Sequence, residues 1–420
     1  MTRRTIEVDE RLPLLQTLPL SLQHLFAMFG ATVLVPFLFK VNPATSLLLN
    51  GVGTLIYLVV CRGRIPAYLG SSFAFIAPVF AVMALLGPGG YAAAQGGFIA
   101  FGLFFVVVSQ IVRVAGTRWI DVILPPAAMG AIVAIIGLEL APVAANMAGL
   151  TGTPSAAAIG ISLFTLGVTI LASVLLRGFL GVIPVLLGVV AGTLLSLALG
   201  KVDMAAIAAA PWFQVPTLYA PTFNAQAILM IMPAAFVVLA EHVGHLVVTG
   251  NIIGRDLVKD PGLHRSLLGD GLSNILSGLA GATPNTTYGE NIGVMAITRV
   301  YSVWVIGGAA VIAVLVSFMG KFAAAIRAIP VPVMGGVCLL LFGIIAAAGV
   351  RMLVEQKVDY SRARNLVLTS VVLTAGVSGA AIKLGAVELK GMALGTTVAI
   401  VLSLLFWSFD KLGISNDGEN

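Results

Sequence analysis

The sequence predicts an all-α polytopic membrane protein of fourteen transmembrane segments, arranged as two inverted repeats of seven. Three observations carry that reading: an apolar content far above that of soluble domains, a regular recurrence of apolar runs of spanning length, and a distribution of lysine and arginine that agrees with one count of those runs. Of the 420 residues, 59% are hydrophobic and 10% charged, with a mean hydropathy of +1.07. Soluble domains are only about 45–50% apolar and about 25% charged.

Residues 1–17 come first. Glu7, Asp9 and Glu10 interrupt their basic start and no small-residue cleavage site follows, so they read as a retained cytoplasmic tail, not a signal peptide. Runs of about 20 apolar residues, enough to cross a hydrocarbon layer about 30 Å thick, then fall near 20–39, 44–61, 92–112, 122–143, 156–176 and 178–200. After a Pro-rich linker, 201–224, they resume near 226–250, 266–281, 302–319, 329–350, 364–382 and 388–408, before a second cytoplasmic tail, 409–420. Two further segments, 66–82 and 283–298, are short and rich in Gly, Ser, Thr, Pro and Asn, and make poor spanning helices alone. Counting them gives fourteen, seven in 18–200 and seven in 225–408.

Charge supports that count. Short cytoplasmic loops carry an excess of Lys and Arg. With the amino terminus inside, only Lys40, Lys201, Lys321, Arg327, Lys383 and Lys390 of the 23 basic residues fall outside. Dropping one span would invert every later loop and scatter this bias. The net charge of +6 therefore reports orientation in the membrane, not binding to nucleic acid. Cys61 and Cys338 lie in or at the ends of apolar runs without metal-ligand or disulfide spacing, and read as packing residues. No metal cluster, nucleophile–base constellation or phosphate loop is present, so the sequence indicates no enzyme and no cofactor.

The two defective segments are each third in their half, and seven spans per half makes the second half enter from the opposite side. Interrupted segments at matching positions of inverted repeats point to a transporter site near the bilayer midplane. Non-helical backbone is tolerated at that depth only when buried in protein or facing a watery cavity. A half-helix that starts there turns its N-terminal N–H groups towards acceptor atoms. The bland reading is a pair of re-entrant loops that merely pack, which the polar clusters in both disfavour.

Ionisable residues within spans are costly and are functional candidates by default. Glu241 and His245 are four apart on one face of the eighth span, with His242 pointing elsewhere, and Glu290 sits in the second defective segment. The alternative for Glu241 and His245 is an interhelical polar pair. Glu139, Asp270 and Glu388 lie nearer predicted span ends, where they could reach water. Two carboxylates, a His and free backbone donors suit a small planar ligand with alternating N–H and C=O groups, or a cation, whereas an anion would be repelled. Phe73, Phe75 or Tyr288 could cover its ring. Withdrawal from water disfavours the charged form of a carboxyl group, so either Glu could pick up and release a proton, and proton coupling follows.

These residues resemble a known family, the nucleobase–ascorbate transporters, and within it the bacterial uracil permeases. Glu290-Asn291-Ile292-Gly293 followed after four residues by Thr298-Arg299 matches the family motif of Gln or Glu, then Asn-x-Gly and a later Thr; Gln23-His24 matches a second motif, and the likeness covers the whole chain. The resemblance implies proton-coupled uptake of uracil across a bacterial inner membrane by alternating access, with both termini cytoplasmic and protons as the coupling ion. It implies short extended strands in the third and tenth segments, a core domain of spans 1–4 and 8–11, a gate domain of spans 5–7 and 12–14, and a homodimer through gate domains. Phe73, Glu241, Tyr288, Gly289 and Glu290 are similar to substrate-contacting positions; Glu241, His245 and Glu290 to proton-coupling ones; and Gln23, His24, Ser72, Asn291 and Phe342 to supporting ones. Phe342 stands where the family's uracil permeases carry Tyr, leaving apolar contact but no hydroxyl. The expected partners are uracil and the lipid bilayer. The rivals are a same-fold carrier of purines or another small solute, and a channel.

Overall fold

The computed structural model describes residues 4–153, 155–384 and 387–415. Residues 1–3 and 416–420, in the two expected tails, lie outside the described residues.

The first half contains α1 (Leu14–Ala27), α2 (Phe29–Phe39), α3 (Pro43–Val60), β1 (Leu69–Ser71), α4 (Ile76–Leu86), α5 (Gly90–Ala115), α6 (Arg118–Ile123), α7 (Pro126–Met147), α8 (Ala156–Leu175) and α9 (Pro184–Ala198). A short α10 (Met204–Ala209) lies between the halves. The second half contains α11 (Ala225–Ile231), α12 (Pro233–Ile253), α13 (Leu263–Ala280), β2 (Asn285–Thr287), α14 (Gly289–Thr298), α15 (Val303–Ser317), α16 (Gly320–Arg327), α17 (Val331–Glu355), α18 (Ala363–Val377), β3 (Ala381–Leu384), β4 (Val387–Lys390) and α19 (Gly391–Leu412).

Seven helical stretches among the described residues are long and apolar enough to cross a membrane, or eight if α1 and α2, bent by 41° at Met28, count as one. One stretch, Phe73–Ala115, contains both α4 and α5. α9, α15 and α18 are apolar but shorter, and α14 has only 10 residues. Large apolar side chains such as Leu103, Val107, Leu171, Val174 and Val401 are exposed along α5, α8 and α19. In water such faces would aggregate; against lipid they are the favourable surface.

Helices meet in two sets. α3, α5, α13 and α15 pack on one another, as do α7, α8, α17, α18 and α19. Each set has a glycine crossing. A Cβ on Gly102 of α5 would lie 2.6 Å from the Gly271 carbonyl oxygen of α13, and one on Gly349 of α17 would lie 2.6 Å from that of Gly130 of α7. Small residues allow this backbone approach, which supplies the packing that apolar burial cannot supply between helices in lipid.

The chain is not wholly helical outside the two broken segments, because β3 and β4 form an antiparallel hairpin where the apolar runs place the end of the thirteenth span and the start of the fourteenth. Gly379 at φ +73° and Gly391 at φ +54° bracket it. Ala380, Ala381 and Ile382 extend the apolar run past the end of α18, and a short apolar stretch does not by itself distinguish a strand from a helix end.

One end of the molecule gathers residues that the charge pattern assigns to the cytoplasm. Arg64 pairs with Asp260 at 2.5 Å, and Arg255 lies 3.8 Å from both Glu7 and Asp9. The amino-terminal tail docks there through Ile6, which bonds to Arg299 and Tyr301 backbone, and Arg11 lies over the Trp304 ring. At the other end the linker after α10 hydrogen-bonds to several helix ends: Thr45 Oγ1 donates to the Thr217 carbonyl, Gln95 Nε2 to that of Tyr219, and the Gly320 N–H to that of Trp212.

Candidate functional site

Pro66 and Pro284 open the two non-helical segments, and neither offers a backbone N–H to a helix. The short strands that follow pair antiparallel, Leu69 with Thr287, Gly70 with Thr286 and Ser71 with Asn285. The Ser72 N–H donates to the Pro284 carbonyl and the Tyr288 N–H to that of Tyr68, extending the ladder at both ends. Each strand then gives way to a helix: a single turn at Phe73–Phe75 leading into α4, and α14 from Gly289. Two helix starts with free N–H groups therefore flank one strand pair.

α12 crosses this junction. Its Glu241 and His245 are half-buried, as are Phe73, Gly289 and Glu290, although their surroundings are packed. The Glu241 carboxylate is close enough to those of Glu290 and Asp270 to interact with both electrostatically. His245 Nδ1 lies 3.1 Å from Thr287 Oγ1 at the end of β2. A Cβ on Gly289 would lie 3.2 Å from His245 Nε2, so a side chain there would press on the imidazole. Phe73 meets Phe342 edge to face, with ring centroids 6.0 Å apart, and Phe342 is buried; apolar contact is what its missing hydroxyl permits.

The supporting residues are buried. Asn291 Nδ2 lies 3.0 Å from His24 Nδ1 and donates to the His24 carbonyl at 3.2 Å, linking the Asn of α14 to α1. Gln23 is buried beside it in sequence. Ser72 is buried, and its hydroxyl has no hydrogen-bond partner among the described residues. The Tyr288 side chain is committed to the strands: its ring covers Gly70 and its hydroxyl donates to the Ser71 carbonyl at 3.0 Å.

Asp270 requires a correction. It does not reach water from a span end, because its side chain is 0% exposed and its Oδ2 lies 3.1 Å from Nδ1 of an equally buried His242. His242 Nε2 in turn lies 2.7 Å from Ser266 Oγ, which contacts the Tyr57 hydroxyl at 2.6 Å. A narrow pocket lined by Tyr57, His242, His245, Thr249, Ser266 and Thr287 joins this buried set to His245. The signal for it lies in α13, where Ser266, Asp270, Ser273, Asn274 and Ser277 recur at helical spacing inside an otherwise spanning segment. Glu139 is also not free, since its Oε2 accepts the Met392 N–H at 2.8 Å, whereas Glu388 is exposed.

An apolar cavity of about 250 Å³ lies elsewhere, between the α1–α2 bend and α16, lined by residues such as Leu25, Phe29, Leu47 and Phe322. No ionisable side chain lines it, so the polar junction and not this larger void is the candidate site. Among the described residues no group of three or more His, Cys, Asp or Glu could hold a metal ion.

The model of the Permease family matches residues 15–385. The uracil permease of Escherichia coli (strain K12) is 66% identical over 410 residues, 97% of this chain and 95% of that one. Uracil permeases of Paenibacillus larvae and Bacillus caldolyticus are 58% and 48% identical, over 99% and 96% of this chain and 100% and 95% of theirs. Among solved structures, the transmembrane domain of the cyanobacterial bicarbonate transporter BicA matches with a TM-score of 0.61 at 16% identity, covering 95% of this chain and 97% of that one. SLC26A9 matches at 0.71 and 12% identity, over 94% of this chain and 65% of that one. At these identities the likeness is one of fold. The chain belongs to the Permease family, in the branch that holds the bacterial uracil permeases.

Proposed function

We propose that the protein imports uracil across the bacterial inner membrane together with protons, by alternating access. The observation that carries this reading is the convergence, at one strand pair, of two half-buried carboxylates and two helix starts. Uracil presents ring N–H donors that Glu241 and Glu290 can accept, and carbonyl oxygens that the free N–H groups after Phe73 and Tyr288 can bind. The Phe73 ring is available to its face. The identity to three uracil permeases supports the choice of substrate. Two converging carboxylates repel each other, and a proton taken up with the substrate removes one charge; this is the physical basis for coupling. Glu241, His245 and Glu290 are the groups assigned to it.

The same reading takes the chain as fourteen segments in two inverted repeats, 18–200 and 225–408, with α9, α14, α15 and α18 as short spans. The packing of α3, α5, α13 and α15 supports a core domain of spans 1–4 and 8–11. That of α7, α8, α17, α18 and α19 supports a gate domain of spans 5–7 and 12–14, the surface through which a homodimer would form. The meeting of Glu7, Asp9 and Arg255 at one end supports a cytoplasmic amino terminus.

The test is uptake of labelled uracil into proteoliposomes with an imposed pH gradient. Accumulation is expected only with the outside acidic, and competition by xanthine, adenine and thymine separates the purine-carrier reading. Downhill flux insensitive to the gradient would favour a channel.

A second expectation arises from Gly70. A Cβ there would lie well inside contact distance of Cζ of the Tyr288 ring. Overpacking of this kind costs roughly 1–3 kcal/mol, and at Gly70 it acts on the strand pair itself. Gly70→Ala is expected to weaken uracil binding, measured by calorimetry on protein that elutes as the unmodified form does. Unchanged affinity would mean that the strand pair can give way without disturbing the site.

A further inference from the structure

The strands β1 and β2 form a sheet of only two, so each has an outer edge whose N–H and C=O groups face away from the partner. At membrane depth an unpaired backbone group is costly. Each edge is closed at its first residue by one side chain from the preceding helix. On β2, Asn274 of α13 accepts the Asn285 N–H through Oδ1 at 2.6 Å and donates from Nδ2 to the Asn285 carbonyl at 3.1 Å, so a single carboxamide stands in for a third strand. The Asn285 N–H can only donate, which fixes the orientation of the amide. On β1, the Thr54 hydroxyl of α3 accepts the Leu69 N–H at 2.9 Å and lies 3.3 Å from the Leu69 carbonyl oxygen.

Asn274 is tied further. Its Nδ2 lies 3.0 Å from Asp270 Oδ1, and Asp270 contacts His242, the neighbour of Glu241 in α12. A continuous polar path therefore runs from the helix of Glu241 through His242, Asp270 and Asn274 to the strand that leads into Glu290. We infer that Asn274 and Thr54 are positioning residues for uracil, holding the outer edges of the two strands so that Glu241 and Glu290 keep the separation the ligand needs. The inference rests on the uracil reading for its ligand, but not for its first readout.

That readout is hydrogen–deuterium exchange of the peptide containing Asn285, followed in full-length protein in detergent without ligand. Asn274→Leu keeps the approximate size of the side chain and removes both its acceptor and its donor. Exchange at Asn285 is expected to quicken and uracil to bind at least tenfold more weakly. A merely structural role would lower the melting temperature without quickening exchange at Asn285 selectively. Thr54→Val, nearly isosteric, is the second variant: the Leu69 amide should exchange faster and uracil affinity fall while the fold is kept. Asn285→Ala removes side-chain bonds to Ser273 and Ser277 but not the edge contact, and should leave affinity within about twofold. Unchanged exchange in Asn274→Leu and Thr54→Val, or changed exchange with unchanged affinity in both, overturns the inference. Failure of the unmodified protein to bind uracil would fall on the substrate assignment, and exchange would still decide whether the side chains close the edges.

Discussion

Glu290→Gln is expected to weaken uracil binding by roughly 1–3 kcal/mol, about 5- to 150-fold, without unfolding the protein. Glu290 occupies the first turn of α14, directly after the strand pair and beside Gly289, which packs against His245. A carboxylate there only accepts hydrogen bonds, which suits the ring N–H groups of a pyrimidine; a carboxamide turns one of its two ends into a donor. Either the amide keeps its oxygen towards the ring and the bond loses its charge, or it rotates and sets donor against donor. Both outcomes weaken binding more than shape changes do, because Glu and Gln are nearly the same size. Calorimetric titration of uracil into the purified variant, matched to the unmodified protein in melting temperature, measures it. Affinity within about twofold of the unmodified protein would remove Glu290 from the site.

Much of this site is legible in the amino-acid sequence, and the parts that are not share a physical cause. Glu241 and His245 stand out because an i, i+4 pair on a spanning helix is a local pattern, and the segments 66–82 and 283–298 stand out because their composition cannot make a good spanning helix. The pairing of Leu69–Ser71 with Asn285–Thr287 joins residues more than 200 positions apart. No periodicity within either segment specifies that partner. The same holds for Asp270, whose distance from the end of a hydropathy run suggests access to water while its burial depends on α3, α5 and α12 closing around α13. Tyr288 shows a further limit: its identity suggests a ring for the ligand, but side-chain direction at a strand end is set by the neighbouring strand, and here the ring covers Gly70. The β3–β4 hairpin escapes a hydropathy reading because its apolar residues continue a run that helices also use.

The largest effect is expected at Glu241. If this residue carries the proton that moves with uracil, Glu241→Gln should abolish accumulation driven by a pH gradient, since a carboxamide neither binds nor releases a proton in that range. Loss of transport alone is ambiguous, because the same substitution also removes an acceptor for the ring. The decisive comparison measures uracil affinity, counterflow of uracil with no gradient, and gradient-driven accumulation on one preparation. A variant that exchanges uracil yet does not concentrate it has lost coupling and kept the carrier cycle. His245, one turn along α12 from Glu241, lies 3.1 Å from Thr287 at the end of β2 and shares a narrow pocket with His242 and Ser266. His245→Ala is therefore expected to shift the pH dependence of accumulation while leaving exchange measurable. The Glu241 and Glu290 carboxylates interact electrostatically, so a proton taken up there belongs to the pair and not to a single residue. Full proton-driven accumulation by Glu241→Gln would move the coupling proton to Glu290 or to the buried His242 and Asp270 pair, and the corresponding test on Asp270→Asn would then separate those two.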